Sequence, residues 1–149
     1  MEDRLVQLLR VDGSTLPATF ILEDEVEGDE DSVRLTLEFV NGLESRISDS
    51  GFFDALCEIR KMLDKDGLRP ICFGACENVY PSPMIASMGD GELAYRLELG
   101  KPALKADLVN IFDCDELVQP SSVKAQEEFY ERWIQSLRLF PVDSHLRQQ

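Results

Sequence analysis

Histidine is almost absent from this chain: the one copy, His145, falls in the polar stretch "DSHLRQQ". A serine or cysteine nucleophile with a histidine base would have to recruit that stretch, so triad chemistry is not expected. Histidine-rich metal sites are excluded by count. Positive charge is scarce as well, with 15 Lys and Arg against 29 Asp and Glu and a formal net charge of −14. Binding nucleic acid takes cationic side chains that displace phosphate counterions, and an anionic bilayer repels a protein of this sign. Neither a nucleic acid nor a membrane is therefore an expected partner. No apolar run approaches the ~20 residues that span a bilayer. The stretch "MEDRLVQLLRVDG" lacks the cationic region and small-residue cleavage site of a signal peptide. The cytoplasm is the expected compartment.

Cysteine is present but unpatterned. Cys57, Cys72, Cys76 and Cys114 sit in "FFDALCEIR", "PICFGACEN" and "NIFDCDEL", apolar settings in which a free thiol behaves as a small hydrophobe. Buried thiols are expected, not a disulfide framework. Cys72 and Cys76 have no second pair or nearby histidine to complete a metal site. The glycines of "GDGELAY" lack the spacing of a phosphate-binding loop, run into a strand, and are interleaved with Asp90 and Glu92. No cofactor or metal is expected.

What is there is enough for one globular domain. A chain of 149 residues, 44% of them hydrophobic, can bury a core without staples. Arg4 to Val11 and Ala18 to Asp24 read as strands, the second bounded by Pro17. Ser32 to Val40 alternates cleanly, with Val33, Leu35, Leu37 and Phe39 on one face and Arg34, Thr36 and Glu38 on the other. That pattern is a strand exposed on one side of an antiparallel sheet. "NGLESR" reads as a turn. From Ser50 to Asp66 the period becomes helical: Phe52, Leu56, Ile59 and Leu63 make the apolar stripe, Phe53 and Met62 widen it, and Gly67 suits the left-handed position after the helix.

Further strands are expected over Arg69 to Cys76, Gly91 to Gly100 and Asp107 to Asp113. A second helix follows from Val123 to Phe140, capped by Ser121 or Ser122, with Val123, Tyr130, Trp133, Leu137 and Phe140 along one side. Residues 142–149 read as a loose tail. The order β-β-β-α-β-β-β-α predicts a single α+β domain, with a largely antiparallel sheet and helices covering one face.

Two stretches stand out as candidate contact surfaces. The first is Glu23 to Asp31, "EDEVEGDED", whose acids are Glu23, Asp24, Glu25, Glu27, Asp29, Glu30 and Asp31. It is either a solvated hairpin tip or a surface that attracts a basic partner. The EF-hand spacing that would bind calcium is missing from it. The second is "NVYPSPMIASMGDG", Asn78 to Gly91. Its prolines exclude a central strand, and "MGDG" permits a tight turn. Either Tyr80, Met84, Ile85 and Met88 tuck into the core, or Tyr80, Met84 and Met88, with Asp90 beside them, face a partner; Tyr and Met suit both.

The run "VYPSPMIASMGDGELAYRLELGKPALKADLVNIFD", Val79 to Asp113, resembles the core phrase of small acidic bacterial immunity-type proteins. The matching elements are Tyr80 to Ser82, Ser87 to Gly89, Ala94 with Tyr95, and Leu108 to Phe112. Such proteins accompany secreted-toxin or contact-dependent competition systems, and the resemblance implies an acidic cytoplasmic protein that protects the producing cell. It brings no catalytic residues and covers about a quarter of the chain. The expected function is thus non-enzymatic: an immunity protein that occludes a basic toxin or effector. The alternatives are a small carboxylate-dependent enzyme using Asp90 and Glu92 beside Tyr95, and a regulatory or assembly module that extends an exposed sheet edge.

Overall fold

A computed structural model describes residues 1–24, 26, 28, 31–40, 42–48, 50–82 and 91–139. The chain forms an α+β fold with two antiparallel sheets. In the larger sheet, β1 (Glu2–Arg10), β2 (Thr15–Glu23), β3 (Val33–Phe39), β4 (Gly42–Ser48) and β5 (Leu68–Pro70) lie in the order β4-β3-β2-β1-β5. The smaller sheet orders β6 (Val79–Tyr80), β7 (Leu93–Arg96) and β8 (Leu108–Asn110) as β6-β7-β8. Helix α1 (Phe52–Lys65) follows β4, and helix α2 (Val123–Leu139) follows β8. The expected order of elements is kept, with β4 and β6 added.

Alternation decides the faces. Val6, Leu8, Leu16, Ala18, Phe20, Leu22, Val33, Leu35 and Leu37 are all buried on one side of the larger sheet. There they meet Phe52, Phe53, Ala55, Leu56, Ile59 and Leu63 of α1. Each large side chain of this kind contributes ~1.5–3 kcal/mol when fully buried. The opposite face carries Leu5, which is 84% exposed, as a one-sided antiparallel sheet allows. The smaller sheet joins the same core through Phe112, whose ring centroid lies 5.2 Å from that of Phe20 and 6.0 Å from that of Phe52. At the rim Arg4 reaches both Glu92 and Asp113, each at 3.4 Å.

Pro17 lies inside β2, although proline should bound a strand. It pairs with Gln7 of β1, whose carbonyl is turned the other way and accepts from the Ile71 N–H at 2.8 Å. Gln7 and Pro17 are therefore a pair that exchanges no ladder hydrogen bond, and β3 pairing begins one residue later, at Ala18 with Phe39. The missing N–H costs the sheet nothing.

Past the Asn-Gly turn signal of "NGLESR", whose Asn41 lies outside the described residues, Gly42–Ser48 is a strand. The chain reverses between the paired residues Phe39 and Gly42, and β4 runs back along β3 to set Ser48 opposite Val33. Conversely, Arg69 to Cys76 is a strand only as far as Pro70. The backbone then coils into a 3₁₀ turn, Phe73–Ala75. Its carbonyls turn inward to side chains that replace a ladder partner. Gly74 in this turn has no room for a side chain: a Cβ there would lie 2.7 Å from Leu56 Cδ2 and 2.8 Å from Ile111 Cβ. Gly74→Ala should cost about 1–3 kcal/mol through overpacking, read as a lower midpoint of urea unfolding at unchanged slope.

That inward-turned backbone surrounds Arg60, which is 3% exposed on the apolar side of α1. Its guanidinium donates to the carbonyls of Gly74 (3.1 Å), Ala75 (3.3 Å) and Ser121 (3.0 Å), and to Gln126 Oε1 (2.6 Å). Gln126 of α2, fully buried, places Nε2 within 2.9 Å of the carbonyls of Gly74, Cys76 and Val79. All these acceptors are neutral, and burial pulls the Arg60 pKa down. The Arg60 Nε is buried without a hydrogen-bond partner among the described residues. The two side chains bind α1, the 3₁₀ turn, β6 and α2 into one body.

Cysteine burial departs from expectation at one position. Cys72 and Cys76 are buried and Cys57 is half-buried, but Cys114 is exposed. Phe112 takes the core position, and the chain then leaves the sheet, so Asp113, Cys114, Asp115 and Glu116 all face water. Burial pushes the Cys57 thiol up to about 11 and the Cys72 thiol up to about 12. Alkylation of the native protein at pH 8 should therefore label Cys114 first, with Cys72 modified only on unfolding; peptide mapping after a short iodoacetamide pulse checks this. These raised values also mean that, above pH 9, the unfolded chain releases thiol protons that the folded chain keeps. Stability should accordingly fall as pH rises past that point.

Candidate binding cleft

Three elements converge beside the smaller sheet. Helix α1 brings Phe53, Asp54, Cys57, Glu58 and Lys61, whose spacing repeats every turn and keeps them on one face. The end of β6 brings Tyr80, followed by Pro81 and Ser82, and α2 brings Val123, Glu127 and Tyr130 at helical spacing. Ser122 caps α2 by accepting the Ala125 N–H at 3.0 Å, which fixes where that face begins. Together these residues line a cleft of about 370 Å³.

The floor is aromatic. Tyr80 stacks on Tyr130 with ring centroids 4.1 Å apart and planes 18° apart, and the Phe53 ring meets Tyr80 edge-on at 5.3 Å. Trp133 continues the stack, 5.9 Å from Tyr130, and its indole N–H donates to the Lys101 carbonyl at 2.9 Å. The rim is acidic. Asp54 and Glu58 are exposed on consecutive turns of α1, and Glu127 is exposed across from them. Ser48 donates to Asp54 at 3.0 Å, and Lys61 approaches Glu58 at 3.8 Å, a surface pair worth little. Burial raises the Tyr80 pKa, and the nearby Cys57, Glu127, Tyr130 and Asp54 add to the shift.

The acidic hairpin leaves the sheet at the same end. Glu23 closes β2 and pairs with Arg34 at 3.2 Å. Asp24 and Asp31 are exposed at the two arms of the hairpin, while Val26, 5% exposed, turns inward and anchors it. Val33, which opens β3, lies opposite Ser48, the residue that holds Asp54 at the cleft. Register thus puts the base of the hairpin and the cleft at one end of the larger sheet.

Of the residues singled out from sequence, Tyr80 is in the cleft, and Glu23, Asp24 and Asp31 are in the adjoining hairpin. Glu25, Glu27, Asp29, Glu30, Met84, Met88 and Asp90 lie outside the described residues. Glu92 is engaged elsewhere, accepting from Arg4 and Asn110 at 3.4 Å. Sequence reasoning missed Asp54, Glu58 and Glu127 as rim residues. Their signal was an i,i+4 acid pair beside an apolar helix stripe, and an acid, Glu127, lying between Val123 and Tyr130 of the side read as apolar.

A larger depression of about 790 Å³ is lined by Leu97, Leu99, Leu117 and Phe129 with Arg69, Glu77 and Glu98. Its charges are mixed. Among the described residues, no group of three or more His, Cys, Asp and Glu side chains could hold a metal ion, and no helix is long and apolar enough to cross a membrane. The fold and cleft define a two-sheet α+β protein with an acidic, aromatic recess. No protein-family model matches this chain, and no curated protein sequence matches it significantly.

Proposed function

We propose that this protein is a non-enzymatic binding protein of the cytoplasm whose partner is a basic protein, and that it neutralises a bacterial toxin or effector by covering its working surface. The observation that carries the reading is the coincidence, at one end of the sheet, of the acidic hairpin with an aromatic cleft rimmed by Asp54, Glu58 and Glu127. Interfaces draw their affinity from a few aromatic anchors, and complementary charge speeds encounter and selects the partner. A net charge of −14 suits a basic surface, and the resemblance over Val79 to Asp113 supplies the toxin context.

The test is affinity capture from lysate of the native organism with a tagged chain, at low and moderate salt, read by mass spectrometry. A single basic protein retained in stoichiometric amount is the expected outcome. Failure to retain one while toxin-like genes are expressed contradicts the proposal.

A further inference from the structure

We infer that the cleft between α1, β6 and α2 receives an arginine side chain from the basic partner; this rests on the function proposed above and names the contact that would carry it. The recess combines the two things an arginine needs. Tyr80, Tyr130 and Val123 give an apolar floor along which a long aliphatic stem can lie. Asp54, Glu58 and Glu127 stand at the rim on two different helices, so the charged head meets carboxylate from two sides. A planar guanidinium with five donors serves several carboxylates at once, and an ammonium acts as one point charge. Glu127 is exposed, so its carboxylate can reach a visiting donor. Among the described residues, Lys61 is the one cation in the lining and lies 3.8 Å from Glu58, where it competes with the visitor. Removing Glu127 and removing Lys61 must therefore act in opposite directions.

The experiment titrates the full chain with a blocked Gly-Arg-Gly peptide and with its citrulline counterpart, the same shape without the charge. Amide shifts in the NMR spectrum give the readout. Saturable shifts centred on Tyr80, Val123, Glu127 and Tyr130 are expected for the arginine peptide alone. Glu127→Gln, an exposed and isosteric change, should weaken binding about fivefold, and Lys61→Gln should tighten it about twofold, as charge pairs of this exposure allow. No saturable shift, an equal response to citrulline, or weakening by both variants overturns the inference. Capture of a basic protein with the same affinity by wild type and Glu127→Gln also overturns it and leaves the proposed function standing. Arginine-peptide binding in the cleft without any basic protein partner supports the inference and removes the proposed function.

Discussion

Gln126→Leu should be among the most damaging single changes that can be made to this protein, costing about 3 kcal/mol of stability and roughly 10 °C of melting temperature. The substitution keeps nearly the same volume, so lost packing is not the cause. It strips a hydrogen bond from the carbonyl of Val79, leaves the Cys76 carbonyl only the Val79 N–H at 3.2 Å, and leaves Gly74 dependent on Arg60. It also takes from a buried guanidinium its shortest contact, the 2.6 Å bond to Oε1. A buried polar group left unpaired costs its full desolvation penalty, and a charged one costs more.

Arg60→Met should cost less than Gln126→Leu, although arginine is the larger polar residue. Among the described residues no carboxylate pairs with this buried cation, and removing it also removes its desolvation penalty. The double variant should be less destabilised than the sum of the two, by 1 kcal/mol or more, because the groups act as one network. Urea unfolding of the four proteins in the cycle decides this. Strict additivity would mean that the two side chains act independently.

The second large effect concerns association. Neutralising Glu25, Glu27, Asp29 and Asp31 together, as Gln or Asn, should slow binding to the basic partner about tenfold or more at low ionic strength, with little change in dissociation. The reason is the range of the forces. Exposed charges steer encounter over a Debye length of ~10 Å at 0.1 M salt, while contacts in the cleft form only after docking. The wild-type rate should fall steeply with added salt, and the neutralised variant should show a flatter dependence. Stopped-flow association at several salt concentrations checks both. An unchanged rate and an unchanged salt slope would leave the hairpin a solvated tip with no part in steering.

How much of this was legible in the sequence follows from which interactions are local. The alternation of Val33, Leu35, Leu37 and Phe39 fixes the face of β3 without reference to anything else, and the stripe Phe52, Leu56, Ile59, Leu63 does the same for α1. Ser122 could be read as a cap because its partner, Ala125, is three residues away. Strand β4 could not, since Gly42–Ser48 has no strong apolar alternation and owes its form to β3 beside it. The Arg60–Gln126 pair was invisible. A charge on α1 and an amide on α2 look like solvated positions until carbonyls distant in the chain come to surround them.

The cleft was half legible for the same reason. Tyr80 stood out in its proline-rich setting, but its stacking partner Tyr130 lies fifty residues further on and carried no signal beyond helical spacing. The rim acids were lost among 29 of their kind. Composition suggested the charge of the proposed partner, and topology was needed to bring the hairpin and the cleft to one end of the sheet.

The most direct test of neutralisation by occlusion is a titration of the purified partner's toxic activity with this protein. Activity should fall in proportion to the protein added and vanish at one equivalent, with full activity regained when the complex is dissociated. Activity that persists at excess, or that disappears irreversibly at a small fraction of an equivalent, would contradict occlusion; the second result would point to an enzyme.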